Sequence, residues 1–203
     1  MKNSGQDFFK WLLAFYSVLF FVLAINPIDR ATWFVENFTV WIILAVLIGM
    51  YMRGLVFSQT AYALMFILIY LHTIGGHYTF ALVPFDWFTE MFGFERNHFD
   101  RIAHFSVGFY AYAIAELLVR YRTTTSRFLL FTYPVFAIAT IAMSYELIEW
   151  IYAALANPEA GIAYLGSQGD IWDAQKDMLA DTLGAMVAML FYFHNHKTNE
   201  KST

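Results

Sequence analysis

The chain contains no cysteine. Disulfides, thiolate metal sites and cysteine nucleophiles are therefore excluded. Charge is also scarce, at 14% of 203 residues, where soluble domains carry about a quarter. The net charge is -4 and no basic stripe exists, which argues against a nucleic-acid partner. Several catalytic signatures are missing as well: no G-x-S-x-G, no Walker A loop and no H-E-x-x-H,. "HTIGGH" is not a dinucleotide loop.

What the chain has instead is hydrophobicity. Apolar residues make up 60% of it, and the mean hydropathy is +0.51. They gather in runs long enough to cross about 30 Å of hydrocarbon. The expected fold is all-α, a polytopic membrane bundle of about six transmembrane helices. The spans are read at roughly 8–26, 35–52, 60–76, 101–120, 128–152 and 177–194, each near the ~20 residues a bilayer needs. The first run lacks a small-x-small cleavage pattern and is read as a retained helix. With no linker to divide the chain, residues 1–203 read as a single transmembrane domain.

Lys and Arg near the span ends set the orientation. With the N-terminus in the cytoplasm, the inner side collects Lys2, Lys10, Arg53, Arg120, Arg122, Arg127, Lys197 and Lys201. The outer side collects Arg30, Arg96, Arg101 and Lys176. This asymmetry puts both termini inside. The two longest connections, 77–100 and 153–176, then fall on the outer face. The polar residues of the later spans share that face, because the odd–even order of the spans fixes it. The aromatic run 78–94 reads as an interfacial segment or a lid.

Four groups of residues could carry chemistry there. "GDIWDAQKDMLADTLGA" holds Asp170, Asp173, Asp177 and Asp181, within about 80° of arc if helical. Helix-start chemistry explains one or two of them, but Asp181 already lies inside the span, where an unpaired carboxylate costs several kcal/mol. "DRIAH" puts Asp100 and His104 one turn apart, able to reach one metal or to pair as base and orienting acid. "SYELIEW" sets Glu146 and Glu149 three apart in an apolar helix. Such a pair binds a cation, shares a proton, lines a water-filled cavity or pairs with Arg96, Arg101 or Lys176. "HTIGGH" ends the third span with His72 and His77. They are about 140° apart on a continuous helix, and only a break at the glycines brings them together. His194 and His196 flank the inner end and read as solvated.

So many acids cannot all be charged and adjacent in low dielectric. The compensation is a divalent cation, shared protons, or Arg and Lys partners; the leading expectation is a divalent metal held by His72, His77, Asp100, His104, Glu149, Asp177 and Asp181. Glu146 and Asp173 are left as catalytic acid–base residues. Oxygen and imidazole ligands without thiolate favour Zn, Mn or Fe over Mg.

The succession "FDRIAHFSVGFYAYAIAELL", "SYELIEW" and "DAQKDMLADTLGAMVAML" resembles the YjdF-like bacterial inner-membrane proteins over most of the chain. That implies a multi-pass protein of the bacterial inner membrane, with no established reaction. A more distant likeness is to VanZ-like membrane proteins, associated with glycopeptide-antibiotic resistance. Their acid-basic-x-x-His-Phe start corresponds to Asp100, Arg101, His104 and Phe105, and their acidic span end to Glu146 or Glu149. Their last-span start corresponds to Asp177, Asp181 and Gly184, with Asp181 where VanZ-like chains commonly carry Asn. The resulting expectation is a metal-dependent membrane hydrolase or transferase acting at the outer face on a lipid or lipid-linked envelope substrate. The alternatives are a proton- or cation-coupled transporter and a non-catalytic envelope scaffold. Membrane lipids are the expected partners, and the oligomeric state is left open.

Overall fold

The computed structural model describes residues 2–155 and 167–200, with side chains over 4–155 and 167–196. The helices in chain order are α1 (Lys2–Leu23), α2 (Arg30–Met52), α3 (Gln59–Tyr78), α4 (Asp86–Phe92), α5 (Phe99–Val107), α6 (Tyr110–Arg120), α7 (Arg127–Leu155) and α8 (Asp173–Glu200). Local chemistry sets several of their starts. Asp29 caps α2 by accepting from the Thr32 N–H at 2.6 Å, and Ser58 caps α3 through the Ala61 N–H at 3.1 Å. Each satisfies a backbone donor that the first helical turn leaves unpaired.

Among the described residues, five stretches are long and apolar enough to cross a membrane: Ser4–Leu23, Arg30–Met52, Gln59–Tyr78, Phe99–Arg120 and Arg127–Leu155. The sixth expected span, 177–194, lies within α8. It packs against α5, α6 and α7, so it belongs to the same bundle. Its polar start and end keep it below the apolarity of the other five. The fourth span is two helices, α5 and α6, joined by a tight turn at Gly108–Phe109.

α3 is central and packs against α1, α2, α5 and α6. On its far side, α7 and α8 close on α5 and α6. Phe9, Tyr62 and Phe66 pack a buried core between α1 and α3, with the Phe9 and Tyr62 rings stacked at 4.6 Å. The opposite face of α1 leaves Trp11, Phe15, Val18 and Val22 exposed. That spacing is one helical stripe, apolar because lipid, not water, covers it.

One crossing decides where the polar residues meet. Gly108 and Gly184 bring α5 and α8 into backbone contact. A Cβ on Gly184 would lie 1.9 Å from the Phe105 carbonyl oxygen, and one on Gly108 would lie 2.1 Å from the Ala185 nitrogen. Small residues at a membrane-helix crossing permit this approach. It sets Asp181, one turn before Gly184, against His104, one turn before Gly108.

Candidate functional site

α2, α5 and α8 begin at the end of the bundle where α3 and α7 finish. A cavity of about 400 Å³ opens there between α2, α3, α5, α7 and α8. Its walls carry Asp100 and His104 from α5, Glu146 and Glu149 from α7, and Asp173, Asp177 and Asp181 from α8. Three helices thus bring to one space residues that lie up to 81 positions apart in the chain.

His104 is the hub. Its Nδ1 lies 3.3 Å from Asp181 Oδ2, and its Nε2 lies 3.7 Å from Asp100 Oδ1 and 3.8 Å from Asp177 Oδ1. Asp100, His104 and Asp177 each offer one ligand atom, and these atoms lie within 4.8 Å of one another. Asp177 and Asp181 are buried, at 3% and 1% exposed. The second Asp181 oxygen and Glu146 Oε1 are buried without a hydrogen-bond partner. Such orphans are rare in folded proteins and call for a ligand, water or proton to satisfy them.

The cations sit beside this cluster. Arg101 pairs with Asp177 and reaches Asp173 Oδ1 at 2.6 Å. Arg96 meets the same Asp173 oxygen at 2.6 Å and donates to the Ser167 carbonyl at 3.1 Å. Lys176 pairs with Asp170 at 2.6 Å. The Lys176 hydrogen bond, followed by the Trp172 N–H, holds the Asp170 carboxyl below its ordinary value. The pairing considered for Glu146 and Glu149 with Arg96, Arg101 or Lys176 is not found. Those cations bind Asp170, Asp173 and Asp177. Asp173, expected as an acid–base residue, sits clamped between two guanidiniums.

The two histidines of α3 separate. The helix runs unbroken through Gly75 and Gly76, so it never folds back as sharing a ligand would require. His72 faces the cavity, with its Nε2 3.0 Å from Glu36 Oε2, although the alignment is too poor for a proper hydrogen bond. His77 lies outside the cavity, its Nδ1 2.7 Å from the Leu23 carbonyl oxygen at the end of α1. It ties α3 to α1 and is removed from the candidate ligand set. The glycines serve close packing: Gly76 lies against Glu36 and Asn37 of α2.

Glu36 was not among the expected site residues. It is 4% exposed and lines the cavity. The signal was a lone carboxylate in the otherwise uncharged stretch "WFVENFTVW", at the start of the second span. At the other end of the bundle, Glu116 accepts from the Ser58 N–H at 3.1 Å. Arg120, a potential partner for Glu116, donates instead to the Val56 carbonyl. Of the 153–176 connection, residues 156–166 lie outside those described. In the 77–100 connection, α4 exposes Trp87, Met91 and Phe92.

The model of a family of predicted membrane proteins, DUF2238, matches residues 8–198. The chain belongs to this family. It is 36% identical over 175 residues to the inner membrane protein YjdF of Escherichia coli (strain K12), covering 85% of this chain and 82% of that one. No solved structure matches. With its apolar helices, the family member is a multi-pass protein of the inner membrane. The VanZ-like likeness rests on the short motifs alone.

Proposed function

We propose that this DUF2238 protein is a metal-dependent membrane enzyme, with its site at the outer, periplasmic face, acting on a lipid or lipid-linked envelope substrate. The observation that carries this reading is the donor set Asp100, His104 and Asp177, within 4.8 Å of one another, opening onto a cavity of about 400 Å³. That volume is in the range of small-molecule sites, about 300–1,000 Å³. Two carboxylates and an imidazole suit Zn, Mn or Fe. Asp181 orients His104 from its other ring nitrogen, as carboxylates do for metal-bound histidines. A bound cation would activate water or polarise a phosphoryl or carbonyl group. Glu146, with a buried oxygen that no group satisfies, is the general-base candidate. His72, paired with Glu36, faces the same space and remains available as a further ligand, as does Glu149.

A proton or cation relay has less support. It needs polar groups continuing to the inner end, and Glu116 there is engaged by the α3 cap. Elemental analysis of the purified protein tests the proposal. About one divalent ion per chain is expected in the wild type, falling to a trace in Asp177→Asn and His104→Ala. Absence of metal from the wild type, with no change in Tm on adding or chelating Zn, Mn or Fe, sinks it.

A further inference from the structure

The cavity changes character with depth, and it does so on four helices at once. On α2, Glu36 precedes Val40 and Ile43; on α5, His104 precedes Val107. α3 and α7 run the other way, and there Leu68 lies below His72 and Ala142 below Glu146. At 1.5 Å per residue, Ile43 is roughly 10 Å beyond Glu36 and Leu68 roughly 6 Å beyond His72 along their helices. Ile43 is near the middle of α2. The space therefore has a charged rim and, over its deeper part, an aliphatic floor extending toward the middle of the bundle. Two polar groups interrupt it: Thr39 of α2, between Glu36 and Val40, and Asp181, a carboxylate set against His104 by the Gly108–Gly184 crossing.

A water needs two to four polar partners, and aliphatic walls supply none. A void bounded by Val, Ile, Leu and Ala leaves those atoms without dispersion contacts on one side. An apolar occupant satisfies both conditions, and the surrounding bilayer is a reservoir of hydrocarbon chains. We infer that the floor of this cavity binds one alkyl chain of a membrane amphiphile, with its polar head at the Asp100–His104–Asp177 rim. This deepens the proposed function by assigning the lipid's hydrocarbon chain a site of its own, and the head's chemistry rests on that reading. The chain site rests on the floor alone.

The test is photolabelling in lipid nanodiscs with two single-chain probes carrying a diazirine at the chain end, an alkanol and an alkyl phosphate. Adducts are mapped by peptide mass spectrometry. The alkanol is expected to label Val40, Ile43, Leu68 or Val107, and excess unlabelled alkanol should suppress this at least tenfold. Ala142→Phe fills the floor from a residue 2% exposed and should suppress it likewise. Labelling of the outward residues Phe38 and Phe136, both exposed, should persist, which also reports that the variant is folded. Adducts confined to Phe38, Phe136 and similar outward positions, or floor adducts indifferent to unlabelled alkanol, overturn the inference whether or not metal is bound. Floor adducts from the alkanol with no metal present keep the inference and remove the metal reading. Alkyl phosphate labelling that needs a divalent ion supports both.

Discussion

The sharpest expectation concerns Gly184→Ala. The added methyl would begin 1.9 Å from the Phe105 carbonyl oxygen, where real Cβ contacts under 3.0 Å essentially never occur. The obstacle is backbone, so no side chain can swing away. α5 and α8 must part by an ångström or more. Overpacking of this kind costs about 1–3 kcal/mol, and backbone obstruction places it at the upper end. Replacing a helical glycine returns about 0.5–1 kcal/mol, leaving a net loss near 2 kcal/mol. For a chain of this size each kcal/mol moves Tm by roughly 2–4 °C, so a fall of about 4–8 °C is expected in a thermal melt of purified protein. Gly49→Ala is the internal control: Gly49 is helical and nothing lies within 4 Å of its would-be Cβ. That variant should hold or gain stability. The same separation would pull His104 from Asp181, now 3.3 Å apart, so under the proposed metal reading Gly184→Ala should also lower the metal content. A melt for Gly184→Ala within about 2 °C of that for Gly49→Ala refutes the close crossing.

Three other outcomes are expected. Asp173→Asn removes the carboxylate that the mostly buried Arg96 and Arg101 share, leaving Arg101 to Asp177 and Arg96 to Asp170 and the Ser167 carbonyl, and should cost about 2–3 kcal/mol. Glu146→Gln, whose carboxylate no cation reaches, should leave Tm unchanged or raise it, and equal losses in the two variants would contradict the assignment of partners. His77→Ala removes the contact to the Leu23 carbonyl, should cost about 1 kcal/mol, and should leave untouched any metal held as proposed; elemental analysis showing metal loss would return His77 to the site. The third concerns pH. Asp170 is held below its ordinary value of 3.8, first by Lys176, so this pairing contributes above that value and fades as pH falls through the lowered one. The Tm difference between wild type and Lys176→Met should be equal at about pH 7 and pH 5 and shrink only below about pH 4; a difference already lost at pH 5 disproves it.

Much of the candidate site was visible in the sequence because membranes simplify its reading. Charged residues inside apolar runs are costly enough to stand out, so Asp100, His104, Glu149, Asp177 and Asp181 could be found one by one. Their placement at one end followed from span order. Individual partners were not legible. "RNHFDR" and "GDIWDAQKD" supply three cations and four nearby acids, and local spacing does not say which cation takes which acid. His77 was misplaced because two histidines near two glycines fit a broken helix as well as a continuous one. Glu36 was passed over because it lies at a span start, where a single acid has a bland explanation.

By itself, then, the sequence determined the long apolar spans, though not α4 or the break between α5 and α6, and the end of the bundle at which the polar groups collect. These follow from hydropathy and from the backbone's need to satisfy its own hydrogen bonds in hydrocarbon. The tertiary structure alone decided that Gly108 meets Gly184, that Arg96 and Arg101 converge on Asp173, and that Glu36 reaches His72. It also decided that an aliphatic floor lies beneath the charged rim. Each of those depends on helix rotation and separation, set by side-chain volumes summed across facing helices that no stretch of one helix contains.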